Sequence, residues 1–270
     1  MKKKALLGIL VFFLVHTAYA YDSEKDFLVV PLEDGRSVEI RGYQGSKKTV
    51  NIPPRINNLP VTRIGNTAFQ YKASITKITI PRGVMSIGYS AFGWCTSLTS
   101  ITIPSSVTAI EGCAFEFCVK LNNITIPSSV TTIEHSVFLQ CESLKKITIP
   151  SGVTTIEYEA FSGCTSLTSV NIPTAVLSIG PEAFSDCKSL TRITIPRSVI
   201  AIGNSAFSGC TKINNITIPA SVTGVGDRAF NYWTSSQMII VEGHANQQSA
   251  NRTFIYKWLD GCNARINYRG

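Results

Sequence analysis

Residues 97–118 read SLTSITIPSSVTAIEGCAFEFC, and residues 120–141 read KLNNITIPSSVTTIEHSVFLQC. The pattern starts again at residue 143 with SLKKITIPSGVTTIEYEAFSGC, so the period is 23 residues. A phenylalanine marks every copy, at Phe69, Phe92, Phe115, Phe138, Phe161, Phe184, Phe207 and Phe230. An Ile-Pro pair keeps the same spacing from Ile80-Pro81 to Ile218-Pro219, and Ile52-Pro53 lies 28 residues before the first of these. A fixed period with regularly spaced Leu and Ile indicates a leucine-rich repeat solenoid.

Each repeat contains one short segment, ITI, that we predict to be a β-strand with both isoleucines facing inwards. The proline that follows ends the strand because it has no N–H to donate to a ladder. The next segment, SSVTAI, is expected to turn the chain, and xxAFxxC is too short for an α-helix. One such coil cannot bury its own Ile, Val and Phe, so stacked coils must bury them together, with the phenylalanines forming an internal spine. We therefore predict a solenoid of the α/β repeat type, with short parallel strands on a concave face and 3₁₀ or irregular convex turns.

The repeated pattern L-x-x-I-x-I-P-x-x-V-x-x-I-x-x-x-A-F-x-x-C resembles the BspA-like family of leucine-rich repeats over roughly residues 37–235. The segment VEIRGYQGSKKTVNIPPRINNLPVTRIGNTAFQ, residues 38–70, also resembles the usual start of such an array. The resemblance implies a secreted or surface protein of the kind found in bacteria and some parasites, often associated with adhesion to host proteins or other cells. It supplies no catalytic motif and no fixed set of binding residues.

The ends of a solenoid must differ from its middle, because each end would otherwise expose an open coil. At the N-terminal end, FLVVPLEDGRSVEIRGY is predicted to be a β-hairpin turning at Glu33-Asp34-Gly35. At the C-terminal end we predict a strand-helix-strand cap, with a strand at MIIV from Met238 and a helix over QQSANRTFIYKWLD that ends at Gly261. The expected division is a signal peptide at 1–20, an N-terminal cap at 21–48, about eight repeats at 49–230 and a C-terminal cap at 231–270.

The first twenty residues have the features of a secretory signal peptide. Three lysines at 2–4 precede the apolar run ALLGILVFFLV, and Ala18-Tyr19-Ala20 forms an A-x-A cleavage site before Tyr21. Because the apolar run is short for a membrane span, we expect cleavage rather than an uncleaved membrane anchor. The mature protein is expected to be exported, on the cell surface, secreted or in the periplasm, with no transmembrane anchor.

Composition narrows the class of protein further. The chain has 270 residues, is 44% hydrophobic and is only 16% charged, so it can bury a large core. Loss of the three lysines at 2–4 lowers the formal charge from +8 by three, to +5. This mildly basic balance does not indicate a nucleic-acid partner.

Six of the eight cysteines occupy one column of the repeat, namely Cys95, Cys118, Cys141, Cys164, Cys187 and Cys210. Three interpretations are open: a metal site, disulfides between coils and a buried ladder of free thiols. A metal site lacks the usual clustering of Cys and His, and disulfides require side chains that converge rather than point the same way. We favour buried thiols that pack as small apolar groups. Lys72 and Trp233, which replace cysteine at the two ends, are expected to mark where burial lapses.

We find no sequence motif of a hydrolase, a metalloprotease or a phosphate-binding loop, and so predict no catalytic residues, no metal, no cofactor and no enzymatic activity. The informative positions lie on the outer side of the ITI strands, where threonine recurs and acids are missing. The candidate binding residues are Lys77, Arg82, Thr102, Thr125, Lys146, Thr148, Arg192, Thr194 and Arg197. The acids of the central repeats lie instead in the turns. This separation suits an extended acidic partner, although exposed threonine is also common in any strand and basic residues also discourage aggregation of sheets.

A rival candidate site consists of aromatic residues in the convex turns, namely Tyr89, Trp94, Tyr158, Tyr232 and Trp233. The leading hypothesis is an exported, non-enzymatic interaction solenoid, an adhesin that binds a host matrix protein, an acidic glycan or other cells. The alternative is a scaffold protein of the cell envelope that assembles with itself as a homo-oligomer.

Overall fold

The structure, a computed structural model, describes residues 21–254 and 257–270. The predicted signal peptide therefore lies outside the described residues. The chain winds through successive coils that are joined by two ladders of parallel strands. Only one of these ladders, the ITI ladder, was expected from the sequence, because the second consists mainly of strands only two residues long.

The ITI ladder contains the strands that carry the predicted inward isoleucines. Its members are β3 (Thr49–Asn51), β6 (Lys77–Thr79), β8 (Ser100–Thr102), β11 (Lys146–Thr148), β13 (Ser169–Asn171), β15 (Arg192–Thr194), β17 (Asn215–Ile218), β19 (Met238–Glu242) and β20 (Arg265–Arg269). Registers such as Ile147↔Val170↔Ile193 place equivalent residues of successive repeats side by side. The predicted strands and their inward side chains are therefore confirmed for most of the array.

The second ladder is formed within the segment that we expected only to turn the chain. Its members are β5 (Leu59–Ile64), β7 (Ser86–Ile87), β9 (Ala109–Ile110), β10 (Thr132–Ile133), β12 (Thr155–Ile156), β14 (Ser178–Ile179), β16 (Ala201–Ile202) and β18 (Gly224–Val225). Two more strands complete the start of the array: β4 (Arg55–Ile56) pairs antiparallel with β5, and β2 (Val38–Tyr43) pairs parallel with it. β1 (Phe27–Pro31) pairs antiparallel with β2, which confirms the predicted hairpin, and a 3₁₀ turn at Glu24–Asp26 precedes it.

The convex turns are not 3₁₀ helices, and their hydrogen bonds explain why. Around Phe92, alternate N–H groups bond to different partners: Ser90, Phe92 and Trp94 donate to carbonyls of the next coil, at 2.8–3.1 Å. The residues between them, such as Gly93, donate to a carbonyl three residues back in their own coil. A 3₁₀ helix would use every one of these N–H groups for hydrogen bonds within its own coil. The turn instead shares them with its neighbour, which forces the residues two before and two after the phenylalanine to positive φ, as at Ser90 and Trp94.

The phenylalanine spine is confirmed. All eight rings are fully buried, and successive rings stack with centroids 5.2–5.8 Å apart. Tyr43 of the N-terminal hairpin stacks on Phe69 at 5.5 Å. At the other end, Trp233 and Trp258 meet Phe230 edge-on, at 5.2 and 6.2 Å. Each end of the spine is thus covered by aromatic side chains that do not belong to the phenylalanine column.

The C-terminal helix is shorter than predicted. α1 spans Gln247–Thr253 and is capped by the Asn246 side chain, which accepts a hydrogen bond from the Ser249 N–H. Residues 257–261 are not helical, and their carbonyls receive N–H groups of the last repeat: Lys257 O accepts from Arg228, and Gly261 O accepts from Tyr232. This segment therefore stands in for a further convex turn. The order of β19, α1 and β20 matches the predicted strand-helix-strand cap, while the domain limits at 48 and 230 stay predictions.

The cysteine column is a ladder of buried free thiols with a role that packing alone did not suggest. Each thiol donates to the carbonyl of the phenylalanine in the preceding coil, from Cys95 on Phe69 to Cys210 on Phe184, at 3.0–3.3 Å. Our interpretation of Trp233 as a lapse in burial was wrong. Its side chain is fully buried, and its indole Nε1–H donates to Phe207 O at 2.9 Å. Trp233 therefore replaces the cysteine as donor.

Burial makes these thiols hard to ionise. It raises the pKa of Cys95 and of Cys164 to about 12 and that of Cys141 well above its ordinary value of 9.0. Cys262 is only partly buried, so its thiol stays accessible to reagents although burial also raises its pKa.

We expect the column thiols of the native protein to resist alkylation at mildly alkaline pH, with Cys262 labelled first and all eight labelled after unfolding. Because the unfolded chain ionises its thiols near pH 9 while the folded chain holds them neutral, the free energy of unfolding should fall between about pH 9 and 12. Urea denaturation under reducing conditions across this range measures the fall.

A variant with Cys118, Cys141, Cys164 and Cys187 replaced by serine is the control, because its hydroxyls keep the donors but do not ionise in this range. The wild type should lose more stability with pH than this variant. Parallel pH profiles for the two proteins would contradict the assignment of neutral, buried thiols.

Candidate binding surface

Strand geometry positions the predicted binding residues. In each ITI strand the middle isoleucine or valine points into the core, so the first and third residues point outwards. Arg82 and Ser105, which follow the proline, line one surface groove with Lys77, Thr79 and Thr102, so this column lies on the same side. We call the outward side chains of these three columns, from Lys77 to Ala220, the ITI face. All nine predicted binding residues are exposed there: Lys77, Arg82, Thr102, Thr125, Lys146, Thr148, Arg192, Thr194 and Arg197.

The positive charges of the ITI face are free of acidic partners. In residues 21–254 and 257–270, the ion pairs are Arg41–Glu39, Lys47–Asp22, Lys188–Asp186 and Arg228–Asp260. None of them involves a side chain of the ITI face. An unpaired cation on a surface without acids stays available to an anionic ligand, because no internal pair has to be broken first.

The ITI face is interrupted, which the sequence did not indicate. Between β8 and β11 the intervening repeat is joined only through a single bridge, Ser100↔Asn123. The second ladder breaks at the same place, between β9 and β10, and the ITI ladder has a further break between β15 and β17. The repeats at residues 97–118 and 120–141 both contain ITIPSSVT, so the residues of the strand itself do not explain the gap after β8. It separates an N-terminal basic group, Lys77 and Arg82, from a central basic group, Lys146, Arg192 and Arg197.

The central basic group is closely spaced. Register brings Lys146 beside Ser169 and Ser169 beside Arg192, so the two cations lie two strands apart. With strands about 4.8 Å apart, their Cα atoms are separated by about 10 Å. Arg197 follows the same strand as Arg192 on the far side of Pro196. At this spacing, the three side chains can contact neighbouring charges of one extended anionic chain.

Several acids of the convex turns are used to hold the coils together. The Ser90 hydroxyl donates to Glu116 Oε1 at 2.8 Å, and the Ser136 hydroxyl donates to Glu159 Oε2 at 3.1 Å. The Tyr158 hydroxyl donates to Glu159 Oε1 at 2.7 Å, which raises the pKa of the tyrosine to about 12. The carboxylates of Glu116 and Glu159 therefore link residues of successive repeats.

The predicted aromatic site was wrong for one of its five residues, and the other four residues do not contact one another as a cluster. Trp233 is fully buried and cannot contact a partner. Tyr89 packs near His135, with centroids 6.1 Å apart, across Gly112, where any side chain would meet the His135 ring. The exposed rings of Tyr158 and Tyr232 make no ring contact with the other members in the part of the chain that the structure describes.

Trp94 belongs to an aromatic stack that the sequence analysis missed. Its ring lies 4.0 Å from that of Phe117, at an interplanar angle of 14°, and 6.1 Å from that of Tyr71. These three residues occupy the same column, two positions after the spine phenylalanine, with φ of 54–61°. The 23-residue alignment could have identified the column, but it does not show that the rings stack on each other.

Two features are missing from the described residues. No group of three or more His, Cys, Asp or Glu side chains there could hold a metal ion. Neither does any helix in residues 21–254 and 257–270 have the length and apolar character to cross a membrane.

The chain is similar to leucine-rich repeat proteins in both sequence and structure. The model of the BspA type leucine rich repeat region matches residues 62–191 and 154–260, in six copies. No curated protein sequence matches the chain.

Two solved structures are similar over most of the chain. A leucine-rich repeat protein of T. pallidum is 31% identical, with a TM-score of 0.69 over 72% of this chain and 91% of that one. A leucine-rich repeat protein of Bacteroides ovatus is 27% identical, with a TM-score of 0.65 over 93% of this chain and 67% of that one.

Proposed function

The chain belongs to the BspA-type leucine-rich repeat family, and we propose that it is an exported, non-enzymatic protein that binds an extended acidic partner through its ITI face. The observation that carries the proposal is the segregation of charge on this face. Its five cations have no acidic neighbour in the three outward columns and no ion pair among the described residues. The partner is a protein or glycan of a host matrix or of another cell, so the protein acts as an adhesin.

The shape of the ITI face favours binding by many weak contacts rather than by one deep pocket. Threonine hydroxyls recur along the face at Thr102, Thr125, Thr148 and Thr194, where they can donate or accept hydrogen bonds without a fixed partner. Exposed ion pairs contribute only about 0.2–1 kcal/mol each, so affinity depends on several cations engaging one chain at once. A repeated strand surface suits that mode because it presents equivalent groups at regular spacing.

A self-assembling scaffold is the second candidate, and the ends of the array favour it. β20 pairs only with β19 among the described strands, and exposed Leu28 and Val30 lie on the edge strand β1. Unpaired strand edges are templates for further strands. A mass that rises with concentration to a closed oligomer, with loss of binding by the ITI face, would favour the scaffold over the adhesin.

Charge reversal tests the face directly. We expect Lys146→Glu, Arg192→Glu and Arg197→Glu together to weaken binding of polyglutamate or a sulfated polysaccharide by about tenfold or more at low salt, since three exposed pairs are lost. The matched control is Lys120→Glu, Lys188→Glu and Lys212→Glu, which changes the net charge equally in loops away from the face. Its affinity should fall by less than about threefold. Equal losses for the two variants would show that net charge alone, and not the ITI face, governs binding.

Location is tested on intact cells. We expect added protease to digest the array while a periplasmic control protein stays intact, because an adhesin must be outside the cell envelope to reach its partner. Protection of the array alongside the periplasmic control would contradict the adhesin proposal and favour a scaffold inside the envelope.

A further inference from the structure

The N-terminal end of the ITI face contains an open groove with a volume of about 650 Å³. Lys77, Arg82, Thr102 and Tyr21 are among its lining residues, and none of the described residues that line it is acidic. We propose that this groove binds a sulfated oligosaccharide, and that removal of the signal peptide completes it by placing the new amino terminus of Tyr21 beside Lys77 and Arg82. The inference rests on the proposed function of the ITI face and on cleavage after Ala20.

The two cations bracket the groove along one strand. Lys77 begins β6, and Arg82 follows Pro81 shortly beyond its end, so at about 3.3 Å per residue the two Cα atoms lie at most about 17 Å apart. Both side chains are exposed, and neither has an ion pair in residues 21–254 and 257–270. They can therefore contact two anionic groups at different points of one ligand of a few residues or sugar rings.

The groove suits an oligosaccharide better than a peptide strand. An extended peptide gains affinity by adding its backbone to a free strand edge. Here β6 is paired on both sides, with β3 and with β8, so its backbone groups are already used. The groove offers side-chain groups instead: the hydroxyls of Thr79, Thr102 and Ser105 for sugar hydroxyls, and the half-exposed ring of Tyr21 as an apolar surface with a polar tip.

Asp22, the second residue after the expected cleavage site, is bound firmly to the start of the array. The Asp22 N–H donates to Asn51 O at 2.9 Å, and its carboxylate accepts from the Asn51 N–H at 3.2 Å and from Lys47 Nζ at 2.7 Å. The Asp22 side chain is only 2% exposed. These bonds fix residue 22 on the edge of β3, which leaves Tyr21 at the groove rather than on a free tail.

Cleavage adds a charge at this place. Hydrolysis of the Ala20–Tyr21 amide consumes one water, leaves a carboxylate on the released peptide and leaves an amine on Tyr21. An α-amino group has an ordinary pKa of about 7.7–8.0, so this amine is mostly protonated at neutral pH. The mature groove would then carry three cations where the uncleaved chain carries two. Export processing and ligand binding are thereby coupled.

The test compares four proteins that begin at Tyr21: the wild type, the wild type acetylated at the Tyr21 amine, Lys77→Gln with Arg82→Gln, and a matched control, Lys120→Gln with Lys212→Gln. The control removes the same charge from exposed loops away from the ITI face. The probes are a heparin-derived octasaccharide, its desulfated counterpart and a polyglutamate peptide of equal charge. Titration calorimetry at low salt measures affinity, and thermal unfolding checks that each variant is folded.

We expect the Lys77/Arg82 variant to bind the octasaccharide about tenfold or more weakly, acetylation to cost about threefold, and the control to lose less than about threefold. The desulfated probe should bind far more weakly than the sulfated one. Equal losses for the two double variants would overturn the groove as the site, and unchanged affinity after acetylation would overturn the role of the amino terminus.

The remaining outcomes separate this inference from the proposed function. Polyglutamate binding as tight as that of the octasaccharide, and reduced by the charge reversal of Lys146, Arg192 and Arg197, would overturn the glycan groove while supporting an acidic partner for the ITI face. Failure of the wild type to bind any of the anionic probes would overturn both proposals.

Discussion

The sharing of backbone hydrogen bonds between neighbouring coils is the constraint on which the rest of the structure depends. In the convex turn every second N–H donates to the next coil, while those between donate within their own coil. This arrangement requires equivalent residues to face each other, so insertions inside a turn would misalign all the bonds that follow. It explains why the period stays at 23 residues from Phe69 to Phe230, and why left-handed residues recur on each side of the phenylalanine.

The buried columns follow from the same stacking. A side chain at a given position meets its own equivalent above and below, so phenylalanine stacks on phenylalanine and each thiol reaches the carbonyl of the preceding phenylalanine. A column can change its residue only if the replacement performs the same task. Trp233 does so at the end of the cysteine column, since its indole N–H supplies the donor and its ring also covers Phe230.

With the interior constrained in this way, variation between repeats is concentrated on the outward positions, and the proposed binding site lies there too. The ITI face keeps its cations unpaired, whereas acids such as Glu116 and Glu159 are hydrogen-bonded between coils on the opposite side. The two sides therefore differ in the availability of their charges as well as in sign. An anionic partner gains contacts on the ITI face without competing with internal acids, which is the physical basis of the proposed adhesin function.

The sequence by itself determined the solenoid, its period, the phenylalanine spine, the N-terminal hairpin and the outward direction of residues such as Lys146 and Arg192. These depend on local alternation and on repetition, both of which can be read along one chain. Only the tertiary structure decided the second ladder, the burial of Trp233, the stack of Trp94 on Phe117 and the groove that joins Tyr21 to Lys77. Each of these arises between segments that are distant in sequence or in different coils, where hydrogen bonds and packing between coils, rather than local preference, select the conformation.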